Sequence, residues 1–262
     1  MPREGRKISS TGIYHIDTLG INSQLIFYDD ADREMFLKKL LKIKNEKKFK
    51  IYAWCLMDNH YHLVMKESDY SISRIMQSLN GSYARYFNQK YRGSGSIYAG
   101  RFYSSPIENI SYLHTAIRYI HQNCVRGFIV ESPALYFWSS CQEYYSQRSL
   151  YNDLSDRRDI LELFSRDPVK AVNYFIEFTE AVYELPQRKS PYRMKHSDTE
   201  AIDLIKSHVG SVELPNIKKL PMNEKIIIIQ HLKSIKDISG PQLSRILGIP
   251  LGVIWRAGKR EE

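Results

Sequence analysis

Hydrophobic and polar positions change period several times along the chain, and each change marks an element. Ile13, Tyr14, His15, Ile16 and Asp17 alternate apolar and polar side chains, and turn residues at 20–23 follow, which predicts a first strand. Beyond Asp29 or Asp30, either able to cap a helix, Phe36, Leu37, Leu40, Leu41 and Ile43 recur at helical spacing, with Lys38, Lys39, Lys42 and Lys44 on the other side. Residues 50–57 and 59–66 read as antiparallel strands joined by a tight turn at Asp58 and Asn59. From Ser71 a helical stripe of Ile72, Ile75, Met76, Leu79, Tyr83, Tyr86 and Phe87 runs to a stop at Gly93, Ser94 and Gly95. Residues 97–103, with Arg101 inside, predict another strand that Pro106 stops at a sheet edge. Residues 110–125 predict a helix that lays Leu113, Ile117 and Ile120 on the sheet.

The second half has only the helical period. Residues 153–184 read as two helices, the first carrying Ile160, Leu161, Leu163 and Phe164, the second Val172, Phe175, Ile176, Phe178 and Val182. Residues 185–197 hold two prolines, five basic residues and few apolar ones, the composition of a linker. Residues 238–256 have the form of a helix-turn-helix: Leu243 and Leu247 pack one helix, Gly248 makes the turn, and Val253 and Ile254 hold the second.

Composition narrows the partner class. The chain has 262 residues and a formal charge of +9, from 38 Lys plus Arg against 29 Asp plus Glu, which favours nucleic acid or an anionic surface. Cys55, Cys124 and Cys141 are odd in number and lack metal-knuckle spacing, which fits a reducing cytoplasm. The longest aliphatic run, residues 226–229, is far too short to span a bilayer, so neither export nor membrane insertion is expected.

Two stretches carry candidate chemistry. On a strand, His60, His62 and Val64 share one face and Tyr61, Leu63 and Met65 the other. The two imidazoles stand about 7 Å apart at the α-carbons, near enough to lean onto a single ion, and equally suited to a hydrogen-bonded pair on the wetter face of the sheet. On the helix of residues 110–125, Tyr119 and Asn123 are four apart and project from the same side, a phenol and an amide together. A half-buried tyrosine whose hydroxyl meets solvent has the same pattern.

Taken in order, the features resemble the single-tyrosine HUH transposases, most closely the REP-associated tyrosine transposases. The resemblance rests on Ile13-Tyr14-His15-Ile16, Cys55-Leu56-Met57-Asp58-Asn59-His60-Tyr61-His62-Leu63, Ser82-Tyr83-Ala84-Arg85-Tyr86-Phe87-Asn88, Gly100-Arg101-Phe102, Arg118-Tyr119-Ile120-His121-Gln122-Asn123-Cys124-Val125-Arg126 and Trp138-Ser139-Ser140. It implies an α+β fold: a ferredoxin-like antiparallel sheet that carries the histidine pair, with helices packed on one face and an all-α C-terminal region beyond. Asp58 and Cys124 stand where the family usually has proline, and Leu19 and Ile21 where its first loop often has arginine and asparagine.

The resemblance also implies roles. His60 and His62 fall on the family's metal ligands, Asn123 on the polar residue that completes the site, and Tyr119 on the nucleophile. The cofactor implied is a divalent metal, Mg2+ or Mn2+, and the chemistry a 5′-phosphotyrosine intermediate formed on single-stranded DNA, often beside a hairpin. Arg101, Arg118 and Arg126 lie near the expected site to meet phosphate. In the C-terminal module, which resembles a replication-initiator-like DNA-binding unit, Arg256, Lys259 and Arg260 fall where DNA contacts are expected, possible duplex contacts included. The expected division is a transposase domain at 1–150, a helical extension and linker at 151–197, and a DNA-binding module at 198–262, acting as monomer or homodimer. Two other readings use the same residues: a DNA-binding regulator that keeps the fold, and a metal-dependent phosphodiesterase that activates water and leaves no adduct.

Overall fold

A computed structural model describes residues 5–146, 151, 154–181, 197–210, 212–235 and 238–257. Strands β1 (Ile13–Leu19), β2 (Lys50–Leu56), β3 (His60–Lys66) and β4 (Tyr103–Ile107) form an antiparallel sheet in the order β2-β3-β1-β4. Helix α1 (Asp30–Lys47) links β1 to β2, and α2 (Ile72–Lys90) links β3 to β4. This βαββαβ order is the ferredoxin-like arrangement. Helix α1 starts where the Asp29 side chain accepts from the Asp32 backbone N–H, satisfying a donor that the first turn leaves open.

The register decides what each face carries. Ile16 pairs with Leu63 and Thr18 with Tyr61, so these side chains share the face covered by α1 and α2. There the Phe36 ring lies 4.6 Å from that of Tyr61, and the Tyr61 hydroxyl donates to Asn80 of α2. Asp17 pairs with His62 and His15 with Val64, so they share the opposite face. Helix α3 (Ile110–His121) packs there against β2, β3 and β4, and α4 (Asn123–Arg126) follows it. Helices thus cover both faces rather than one, because Ala53, Cys55 and Val64 make the second face apolar beyond the histidines.

Helices α5 (Cys141–Ser146), α6 (Arg157–Leu161) and α7 (Pro168–Glu180) extend the α3 layer. Tyr144 stacks on Phe175 at 4.4 Å, and the buried His121 ring meets both. The extension is pinned to β2 as well, where Asp156 N–H donates to Ile51 O at 2.7 Å and Ile51 N–H to Asp156 Oδ2 at 2.8 Å. Of the expected linker, residues 185–196 lie outside the described residues, as does Val182.

The C-terminal region holds α8 (Asp198–Val209), α9 (Leu214–Ile217), α10 (Met222–Lys233), α11 (Gly240–Leu247) and α12 (Leu251–Arg256). Leu243, Leu247 and Ile254 are fully buried, and Gly248 turns the chain between α11 and α12 with φ 64°. The end of α11 rests on the segment after β1: Leu25 N–H donates to Arg245 O at 3.1 Å and the Tyr28 hydroxyl to Ile246 O at 2.8 Å. A Cβ at Gly248 would come within 2.6 Å of Gln24 Oε1, so glycine suits the position twice, for its left-handed backbone and for the close approach of that side chain. Among the described residues no helix is long and apolar enough to cross a membrane.

Two elements depart from the sequence pattern. The strand expected at 97–103 begins at Tyr103 instead and contains Pro106. Gly100, at φ 151°, and exposed Arg101 break the earlier run, and Tyr98 makes only an isolated bridge to Gly20. As an edge strand paired with β1 alone, β4 has one side on which proline's missing N–H costs no ladder bond. The helix expected over 110–125 ends at His121, and Gln122 (φ −78°, ψ −3°) passes the chain to α4, whose first residue is Asn123.

Candidate active site

Four elements bring their side chains to one place on the α3 face of the sheet. His60 and His62 come from β3, with ring centroids 5.0 Å apart and planes at 87°. Neighbouring β1 contributes His15, whose Nε2 is 3.3 Å from His62 Nδ1, and Asp17, whose Oδ1 is 3.9 Å from the same atom. From α3 the Tyr119 ring meets both His62 and His15 at 5.7 Å. From α4 Asn123 stands beside His60, and the Arg126 guanidinium lies 4.8 Å from the Tyr119 ring centre. The helix break at Gln122 therefore leaves the pairing of Tyr119 with Asn123 intact.

Burial sets the charge state. It pushes His15 and His60 down to about 4, and the neighbouring Asn123 amide, as an acceptor for the protonated ring, offsets part of the effect at His60. His62 falls well below the usual range through burial first, then through His60, His15 and Arg126. All three imidazoles are thus neutral near pH 7, the form with a lone pair to offer. Burial raises Asp17, whose Oδ1 is enclosed without a hydrogen-bond partner.

The donor set suits a divalent ion. Two neutral imidazoles and an amide meet at the cluster, and the back of His60 is already held, its Nδ1 lying 2.7 Å from Asn59 Oδ1. Among the described residues no three His, Cys, Asp or Glu side chains group as a metal centre.

The expected cationic residues divide. Arg126 is exposed beside Tyr119, whereas Arg118 turns to α7, its guanidinium 4.4 Å from the Phe178 ring centre. Arg101 is exposed just before β4, and exposed Arg256 donates to Gly252 O within α12. Lys259 and Arg260 lie outside the described residues. His15 and Asp17 are the residues that sequence reasoning passed over. The signal was present, since the alternation that defined β1 also placed these two on one face, as it did His60 and His62.

Fold and cluster together define a ferredoxin-like domain with a paired-histidine, single-tyrosine site. Residues 9–123 match the model of the family described as "Transposase IS200 like". The matched stretch runs from before His15 to Asn123 and so contains every residue of the cluster but Arg126. No curated protein matches the chain. Among solved structures, a REP-associated tyrosine transposase bound to a REP hairpin is 20% identical, with 59% of this chain and 90% of that one covered at a TM-score of 0.49. A candidate transposase from Deinococcus radiodurans R1 is 14% identical, with 44% of this chain and 92% of that one covered at a TM-score of 0.33.

Proposed function

We propose that the chain is a DNA transposase that nicks and rejoins single-stranded DNA through Tyr119. The observation that carries this reading is the convergence of Tyr119 with His60, His62 and Asn123 from three separate elements. His60, His62 and Asn123 would hold Mg2+ or Mn2+, which when bound supplies Lewis-acid stabilisation of the charge that develops on the scissile phosphate. Tyr119 Oη attacks phosphorus as its proton leaves, the Oη–P bond forms, and the P–O3′ bond breaks. The products are a 5′-phosphotyrosine and a free 3′-hydroxyl. Attack by a 3′-hydroxyl on that phosphotyrosine restores a phosphodiester and the phenol, so no nucleotide cofactor is consumed.

Arg126, whose guanidinium lies 4.8 Å from the Tyr119 ring centre, would meet the phosphate beside the nucleophile. The C-terminal module, with Arg256, Lys259 and Arg260, serves as a second DNA contact, for a hairpin or duplex flanking the cut. Arg101 extends the cationic surface before β4, while Arg118 acts on the α7 side of the domain.

The test is a covalent adduct. Incubation with manganese and a labelled single strand bearing a repeat-type hairpin should give a complex that survives denaturation and retains label placed 3′ of the break, in the fragment whose 5′ end is joined to the tyrosine. Cleavage that yields a free 5′-phosphate and no adduct would move the assignment to a water-using phosphodiesterase. Tight selective binding with no cleavage would instead favour a regulator.

A further inference from the structure

A histidine that binds a metal must keep one ring nitrogen unprotonated and aimed forward, and what sits behind the ring decides which nitrogen that is. Behind His60 the answer is fixed. Asn59 Nδ2 donates to Ser23 O at 3.3 Å, which orients the amide so that Oδ1 faces His60 Nδ1 at 2.7 Å. An amide oxygen only accepts, so His60 carries its proton on Nδ1 and keeps the Nε2 lone pair.

Behind His62 there is no amide. Its Nδ1 faces two groups from β1: His15 Nε2 at 3.3 Å and Asp17 Oδ1 at 3.9 Å. Asp17 stands directly across the ladder from His62, and its enclosed Oδ1 has no other hydrogen-bond partner. A buried carboxylate oxygen left unpaired is costly, and an N–H on His62 Nδ1, 3.9 Å away, is a donor that faces it.

We infer that His15 and Asp17 are positioning residues that hold the proton of His62 on Nδ1 and so turn its Nε2 toward the ion. The assignment rests on the proposed metal role of His60 and His62. In that arrangement His15 Nε2 accepts from His62 Nδ1–H, and Asp17 Oδ1 faces the same nitrogen at the longer distance. The two ligands are thereby held by different means, His60 by a neutral amide anchored in the loop after β1, and His62 by an imidazole and a carboxylate on the neighbouring strand. The His15 ring also lies edge-on to Tyr119 at 5.7 Å, so the residue that orients a ligand packs against the proposed nucleophile.

Manganese affinity of the full chain, measured by calorimetry, tests this with His15→Leu, His15→Gln and Asp17→Asn. Leucine fills the space but accepts nothing, and should weaken manganese by about 10- to 100-fold. Glutamine offers an amide oxygen and should restore most of that loss. Asp17→Asn keeps an acceptor but drops the charge, and should fall between wild type and His15→Leu. Nitrogen chemical shifts of His62 should report Nδ1–H in wild type and a tautomer mixture in His15→Leu, with thermal midpoints within a few degrees checking that each variant folds. A purely space-filling role predicts that glutamine and leucine behave alike, or that His15→Leu binds manganese like wild type, and either result overturns the assignment. If His60→Ala also binds like wild type, the metal reading falls together with it. Loss in His60→Ala with none in His15→Leu removes this inference alone.

Discussion

Tyr119 meets His62 edge to face, with centroids 5.7 Å apart and planes at 87°. The contact involves the ring and not the hydroxyl, so packing and chemistry at this residue are separable. Tyr119→Phe should keep the fold, with unfolding free energy within about 1 kcal/mol of wild type, because the ring and its neighbours are retained. Strand cleavage should drop by about a thousandfold or more and the denaturation-resistant adduct should vanish. Denaturant unfolding and a gel assay on the same preparation check both halves.

His60→Ala and His62→Ala remove donors that meet nowhere else in the described structure. Each should abolish manganese binding measured by calorimetry and cleavage with it, while affinity for the hairpin strand falls by less than about tenfold, since most of that affinity comes from phosphate contacts. Metal affinity equal to wild type in the double variant would reject the ligand assignment.

The chain should lose stability in mild acid. Burial holds His121 down to about 3, and its Nε2 lies 2.8 Å from Ser140 Oγ inside the α3–α5 packing. The unfolded chain binds this proton near pH 6.5, so below that pH the unfolded state carries more protons and stability falls as pH falls. The slope is up to about 1.4 kcal/mol per pH unit for each such histidine. The window opens near 6.5 and for His121 extends down to about 3, whereas His15 and His60 stop adding near 4. Urea midpoints at pH 7 and pH 5 should differ, and His121→Gln should shrink the difference.

Asp32 is a buried carboxylate with a full set of donors. The Tyr28 N–H reaches it at 2.8 Å, the Tyr91 hydroxyl at 2.7 Å, the Tyr86 hydroxyl at 3.1 Å and Lys90 Nζ at 2.7 Å. Asp32→Ala strands three of these donors, while Lys90 keeps Asp29. A loss of about 3 kcal/mol is expected, readable as a lowered urea midpoint with an unchanged slope.

Much of this was legible in the sequence. Period-2 alternation located β1, a tight turn between two apolar runs located β2 and β3, and helical stripes located α1, α2 and the paired helices of the second half. The His60–His62 pair and the Tyr119–Asn123 offset are local spacings and survived intact. What failed was non-local. Pro106 reads in the sequence as stopping a strand at a sheet edge; the edge is there, but β4 runs through the proline, whose missing N–H can face the free side. His15 and Asp17 went unnoticed because their place opposite Val64 and His62 is fixed by pairing register between distant segments. The seat of α11 on residues 24–28 was hidden for the same reason.

That seat limits how freely the chain can exchange its parts. The turn glycine of the C-terminal module, Gly248, is shaped both by its own backbone and by a side chain from the sheet domain, with Gln24 Cδ only 2.7 Å from where a Cβ would sit. Ser23, the neighbour of Gln24, in turn steadies Asn59 behind His60. A helix pair borrowed from another chain would need more than matching ends: a side chain at this turn would meet Gln24, whose neighbour Ser23 holds the loop behind His60. Modules joined this way are replaced in matched sets, and a hybrid that ignores the match should express as a folded protein with a misaligned His60.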